Sequence, residues 1–148
     1  MKWLGNGLML VLAVVVGLAI LEVYARLALD TGHDFDLEMW KYARELKRPA
    51  VGAAGHEHVP NTAAHLMGVD VRINPLGFRD DLQSAAKPPQ TRRVLMLGDS
   101  LTFGWGVAEQ DTPSELIQSA LNARGDGWRY EVVNMGVGNA NTSMEQRA

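Results

Sequence analysis

Residues 3 to 21, WLGNGLMLVLAVVVGLAIL, carry no charge and only one strongly polar side chain, Asn6. At 1.5 Å rise per residue a helix of this run covers about 28 Å, close to the hydrocarbon thickness of a bilayer. A buried core helix is the alternative, but a position directly after Met1 and Lys2 points to export or anchoring. Glu22 and Arg26 stand four residues apart, so the helix can continue beyond the membrane with a paired surface face. That pairing favours a retained anchor, residues 1–29 with 3–25 in the lipid bilayer, over a signal cleaved after VYA at 23–25. Asp30, Asp34, Asp36 and Glu38 follow Arg26, whereas Lys2 lies before the run. The expected arrangement is a single pass of a bacterial inner membrane with the carboxyl-terminal body periplasmic.

The remaining length suits one small domain. With 14 basic and 17 acidic residues the net charge is −3, and no basic block is dense enough to track phosphates, so nucleic acid is not an expected partner. Cysteine is absent, which removes disulfides and thiol chemistry.

After the anchor, residues 30–90 read as a lead-in. The segment 34–48, DFDLEMWKYARELKR, has an amphipathic pattern with Leu37, Trp40, Ala43 and Leu46 on one face, and Asp34 or Asp36 can cap its start. Residues 49–65 are rich in Pro, Ala, Gly and His and read as a loop. HEH at 56–58 would place two rings on one face of a strand, but no third ligand is convincingly spaced, so no metal is expected and Glu57 with its neighbours reads as solvated loop. The stretch 66–81 alternates around Val69, Val71 and Ile73 as a half-buried strand does, then turns at NPLG. SAAKPPQT at 84–91 is a linker, and a domain edge falls there.

From Arg92 the rhythm changes. RVLMLG is a continuous apolar run, as expected of a parallel strand buried on both faces. In 111–125 Thr112 can cap a helix, Pro113 suits its first position and Glu115 completes a T-x-x-E capping box. Leu116, Ile117, Ala120 and Leu121 would form its buried stripe, and Gly125 would end it. YEVVNMG, 130–136, is a second strand. Strand, helix, strand predicts a parallel pair with a right-handed crossover, so the chain is α/β from here on.

In such sheets the reactive end is the carboxyl end of the strands. Ser100 lies there, in GDSLTFGWGV, and Asn134, Gly136, Gly138 and Asn139 lie at the end of the next strand. A hydroxyl beside a cluster of amide donors is what acyl transfer needs: a nucleophilic oxygen, and N–H groups aimed where a carbonyl oxygen becomes negative. No phosphate-loop or dinucleotide-binding motif occurs, and no cofactor is expected.

GDSLTFG resembles the first signature block of the SGNH, or GDSL, hydrolase family. VVNMGVGNANT is similar to its second block, and INPLGFRDD resembles the lead-in of membrane-anchored bacterial members. The resemblance covers roughly residues 66–146. It implies a doubly wound, flavodoxin-like parallel sheet, here its first part over residues 91–148. Ser100 is then the nucleophile and, through its backbone N–H, an oxyanion donor. Asp99 would be structural, satisfying backbone donors in the turn. Counting from Asn134, the family's oxyanion glycine falls on Asn139, while glycine occupies 138. Both are candidates, because any residue but proline offers an N–H.

The family's third-block asparagine and its D-x-x-H block, which supplies the acid and the base, would lie beyond residue 148. The four histidines, 33, 56, 58 and 65, all precede the serine. A serine without a base is a poor nucleophile at neutral pH. The expectation is the front part of an anchored serine esterase or acyl hydrolase acting on an acyl ester or acylated glycan, inactive by itself. An O-acyltransferase or deacetylase of cell-surface polysaccharide, or a non-catalytic anchored binding protein, are the alternatives.

Overall fold

The computed structural model describes residues 2–29, 32, 34–50, 55–82 and 84–145. It is a mixed α/β structure with a long apolar amino-terminal helix and a small parallel sheet. His33 and Asp30 fall outside the described residues.

The first helix, α1, runs over Lys2–Ala28. Its 24 residues Gly5–Ala28 are long and apolar enough to cross a membrane, and none is buried against the body. Near its end Arg26 reaches Glu22 at 2.7 Å, as the four-residue spacing predicted.

The second helix, α2, covers Phe35–Glu45, and Asp34 caps it by accepting from the Leu37 N–H at 2.9 Å. Its buried face differs from the predicted one. Glu38, Tyr42 and Leu46 are buried, whereas Trp40 is 56% exposed with the Arg44 guanidinium stacked over its ring. Polar partners decide this rotation. Glu38 accepts from the backbone N–H of Met67 at 2.6 Å, and Tyr42 carries a hydroxyl with two partners of its own. An apolar-periodicity argument cannot see either.

The segment expected to be a loop contains strands. β1 (Lys47–Pro49) pairs antiparallel with β2 (His56–His58), and β3 (Ala63–Leu66) with β4 (Val69–Arg72). His58 is buried and Arg48 holds Glu57 at 2.8 Å, so HEH is a structured strand rather than solvated loop. Val71 and Ile73 are buried as the alternation predicted, and Met67–Gly68 make the turn before them. Tyr42, Leu46, Leu66, Val71, Ile73 and Phe103 form one cluster, so the lead-in and the turn at Ser100 share a core across the linker.

β5 (Thr91–Gly98) and β6 (Arg129–Gly136) pair in parallel, from Thr91 opposite Arg129 to Gly98 opposite Gly136. Arg93 and Glu131, directly opposed and both largely buried, close a 2.7 Å ion pair that supports this register. The connecting helix, α4, covers Pro113–Asn122, ending a little before Gly125. The expected capping box does not form. The Thr112 hydroxyl donates to the Glu109 carbonyl at 2.7 Å and meets Ser114 Oγ at 3.1 Å, while Glu115 accepts from Gln118.

Two burial expectations are also corrected. Leu116 and Ile117 are 56% and 42% exposed, and Ala120 is exposed too. On β5, Val94, Leu95 and Leu97 remain exposed. The reason is geometric: α4 packs against β6, and Val94, Leu95 and Leu97 of the neighbouring strand stay open to solvent. That β6 edge is well satisfied. Its Tyr130, Val132 and Asn134 N–H groups donate to Asn122 Oδ1, Gln118 Oε1 and Asp80 Oδ2. Side chains thereby occupy the donors that an edge strand otherwise presents to other strands.

Candidate functional site

Two turns leave the carboxyl ends of β5 and β6 side by side. The first begins at Asp99, which accepts from the Leu101 N–H at 2.9 Å and so starts the short helix α3, Ser100–Phe103. Asp99 thus satisfies a donor of the turn. Ser100 is half-buried, and among the described residues neither its hydroxyl nor its backbone N–H makes a hydrogen bond. Its carbonyl accepts from the Gly104 and Trp105 N–H groups, which curls the chain back after α3.

Arg79, from the lead-in, fixes the far side of this turn. Its guanidinium is buried and donates to the carbonyls of Phe103 (3.0 Å), Gly104 (2.6 Å) and Val107 (2.6 Å). Burial lowers its pKa. Three carbonyl dipoles, together with the nearby Glu109 charge, compensate the guanidinium.

The second turn packs directly against the first. A side chain at Gly136 would place its Cβ 2.2 Å from the Phe103 nitrogen, so only glycine allows the approach. The Val137 N–H continues to Gly98 O at 3.0 Å beyond the paired strands. Asn134 is fully buried, with Oδ1 accepting from the Gly136 N–H at 3.1 Å and Nδ2 donating to Phe103 O at 3.4 Å. It therefore ties one turn to the other. Residues 137–140 then close a four-residue turn through Ala140 N–H to Val137 O at 2.9 Å, with Asn139 at φ +62. Asparagine is among the few residues that tolerate this left-handed conformation.

The two candidate donors of this turn are not equivalent. The Gly138 N–H donates to Tyr42 Oη at 2.8 Å. Asn139 is exposed, and its N–H has no partner among the described residues. A Cβ at 138 would meet the Tyr42 ring at 2.7 Å, so glycine at 138 and tyrosine at 42 are matched in size.

Behind Tyr42 stands His58, whose Nε2 lies 2.7 Å from Tyr42 Oη and whose Nδ1 lies 3.2 Å from the Gly77 carbonyl. A carbonyl only accepts, so Nδ1 carries the proton and Nε2 receives the tyrosine O–H. Burial, against the Gly77 hydrogen bond and with the nearby Lys47, His56 and Arg79 charges, lowers the His58 pKa to about 4, so the ring is neutral at pH 7. Burial likewise pushes the Tyr42 hydroxyl above its usual range. Lys47 donates to the Gly138 carbonyl and sits 4.4 Å from the centre of the Tyr42 ring, and burial lowers its pKa to about 8. His56 Nε2 lies 3.1 Å from that same carbonyl.

None of the described histidines bonds to Ser100. His56 and His58 serve the second turn, and His65 faces Asp70 at 2.7 Å on the exposed β3–β4 hairpin. A cavity of about 300 Å³ adjoins the junction, lined by His56, His58, Phe78, Leu97, Met135 and Met144 among others, without Ser100. Sequence reasoning missed Tyr42, Lys47, His58 and Arg79 as parts of this site. Only the H-x-H alternation singles out one of them, and its reading from sequence is a solvated loop rather than a hydrogen-bonded brace. No family model and no curated protein matches the chain.

Proposed function

We propose that this chain is the membrane-anchored front part of an SGNH-type serine esterase or acyl hydrolase. Ser100 is its nucleophile, and β5 and β6 are the first strands of a flavodoxin-like sheet. The reading is carried by one observation: the Ser100 turn and the Asn139 turn leave adjacent parallel strand ends, in register at Gly98 and Gly136. Ser100 Oγ attacks an ester carbonyl, and the oxygen that becomes negative is received by backbone N–H groups of Ser100 and Asn139. Gly138 is set aside because its N–H is bonded to Tyr42. A general base takes the Ser100 hydroxyl proton as the oxygen attacks and, as its conjugate acid, gives that proton to the departing alkoxide, leaving an acyl-serine. Water, deprotonated by the same base, then releases the acyl group as the acid and restores the serine hydroxyl. The reading requires the acid–base pair from a D-x-x-H block outside these residues, since none of the described histidines reaches Ser100.

The proposed orientation has Lys2 and the amino terminus in the cytoplasm and the body on the periplasmic face. A reporter fused after residue 30 should be active only in the periplasm, and cytoplasmic activity reverses the orientation. For the chemistry, the test compares short-chain ester hydrolysis by the 148-residue chain, by the longer gene product and by its Ser100→Ala variant. The longer product should be active, with the other two lower by at least about a thousandfold. An unchanged rate on Ser100→Ala rejects the mechanism. Supplying a sugar acceptor in the same assay separates hydrolysis from acyl transfer by its product.

A further inference from the structure

The turn that follows β6 has a central peptide with two ends, the Gly138 carbonyl and the Asn139 N–H. The turn's own hydrogen bond runs from Ala140 to Val137, so it uses neither end. The β1–β2 hairpin takes the carbonyl: Lys47 Nζ donates to it from β1, and His56 Nε2 lies 3.1 Å away on β2. In a trans peptide the C=O and N–H point in opposite directions. With its oxygen drawn toward the hairpin, the peptide must aim the Asn139 N–H away from it, and that N–H is the one without a partner among the described residues.

We propose that Lys47 and His56 are positioning residues that orient and polarise the Gly138–Asn139 peptide, making the Asn139 N–H the oxyanion donor of this turn. The inference rests on the esterase reading above and adds to it the device that controls the donor. Two physical effects contribute. Hydrogen bonds to the carbonyl oxygen draw electron density from the amide nitrogen and strengthen the opposite N–H as a donor. They also oppose a flip of the central peptide, which would relieve the left-handed Asn139 and turn its N–H to the other side. A donor already fixed in direction needs no reorganisation as charge develops on the substrate, and that is where such groups gain their effect.

The surroundings of Lys47 fit this task. Its neighbours are the Tyr42 ring, His56 and the neutral His58, with Arg79 behind Tyr42, and no carboxylate pairs with it among the described residues. Its ammonium is therefore directed to the carbonyl rather than shared with an acid. Tyr42 holds the preceding peptide through the Gly138 N–H, so consecutive peptides of the turn are fixed from one side by three lead-in side chains.

The test uses the longer gene product with Lys47→Met and Lys47→Arg, and two readouts. In ester hydrolysis, Lys47→Met should lower kcat by about 10- to 100-fold with KM changed less than about twofold, and Lys47→Arg should recover most of the loss. In a 15N-labelled sample, the Asn139 amide proton should move upfield in Lys47→Met and stay near its original position in Lys47→Arg. A merely structural role would lower thermal stability without splitting kcat from KM and without restoration by arginine. An Asn139 amide and a kcat both unmoved by Lys47→Met overturn the proposal. Should Ser100→Ala retain full activity, the esterase reading falls instead, and the amide shift alone decides whether Lys47 governs this peptide.

Discussion

Tyr42 and Gly138 are 96 positions apart in the chain, and the Gly138 N–H donates to the tyrosine hydroxyl at 2.8 Å. The ring fills the space that a side chain at 138 would need, and the hydroxyl donates a hydrogen bond to His58 Nε2. Through this contact α2 is joined to the turn that follows β6.

Replacing Tyr42 with Phe keeps the ring and removes the hydroxyl. The Gly138 N–H and His58 Nε2 then both lose a buried partner, and each such loss costs about 1–3 kcal/mol. The expected destabilisation is about 2–4 kcal/mol, read as a lower urea midpoint with an unchanged slope in detergent-solubilised protein. A change below about 0.5 kcal/mol would mean that water replaces the hydroxyl without loss.

The neutral His58 gives a pH dependence of definite sign. Its folded pKa, about 4, lies below the ordinary value of 6.5, so the unfolded chain takes up the proton first as pH falls. Stability from this group is complete above pH 6.5, declines between 6.5 and 4, and is constant below that. The full loss is about 3 kcal/mol. His58→Gln, which keeps one donor and one acceptor, should flatten the decline in that window. A wild-type stability that is level from pH 6.5 to 4 would contradict the assignment.

Arg79 supplies three hydrogen bonds to the carbonyls that follow Ser100. Arg79→Met leaves those carbonyls without their donor, and a loss of about 3–5 kcal/mol is expected. Arg79→Lys should recover less than half of it, because a single ammonium cannot span the three acceptors as a planar fork does. Equal stability of the lysine variant and the wild type, measured by thermal unfolding, would show that charge rather than geometry matters here.

Local pattern made several parts of this protein legible. An uncharged run of membrane length has one plausible local structure, and α1 is that helix. Apolar strands flanking a helix with Pro at its start led to β5, α4 and β6 in parallel pairing, with ends within a few residues of those expected. The glycines at 98, 104 and 136 stand where the close turns around Ser100 leave no room for a side chain, a fact the structure supplies.

The rest depended on contacts that no local period encodes. Which face of α2 is buried was decided by Glu38 reaching the Met67 N–H and by Tyr42 reaching Gly138, so Trp40 and Ala43 lie outside. The histidines of HEH became a hydrogen-bonding partner for Tyr42 and a neighbour of the Gly138 carbonyl only once β1 and β2 had paired beside the distant turn. Between Gly138 and Asn139 the sequence offered two equivalent N–H groups, and the tertiary structure distinguished them by occupying one. The sequence alone determined α1, α2 and the β5–α4–β6 unit, but not the paired strands β1, β2 and β3 of the lead-in. Which buried polar groups find partners was decided by tertiary structure, since hydrogen bonds between distant segments depend on packing rather than on spacing along the chain.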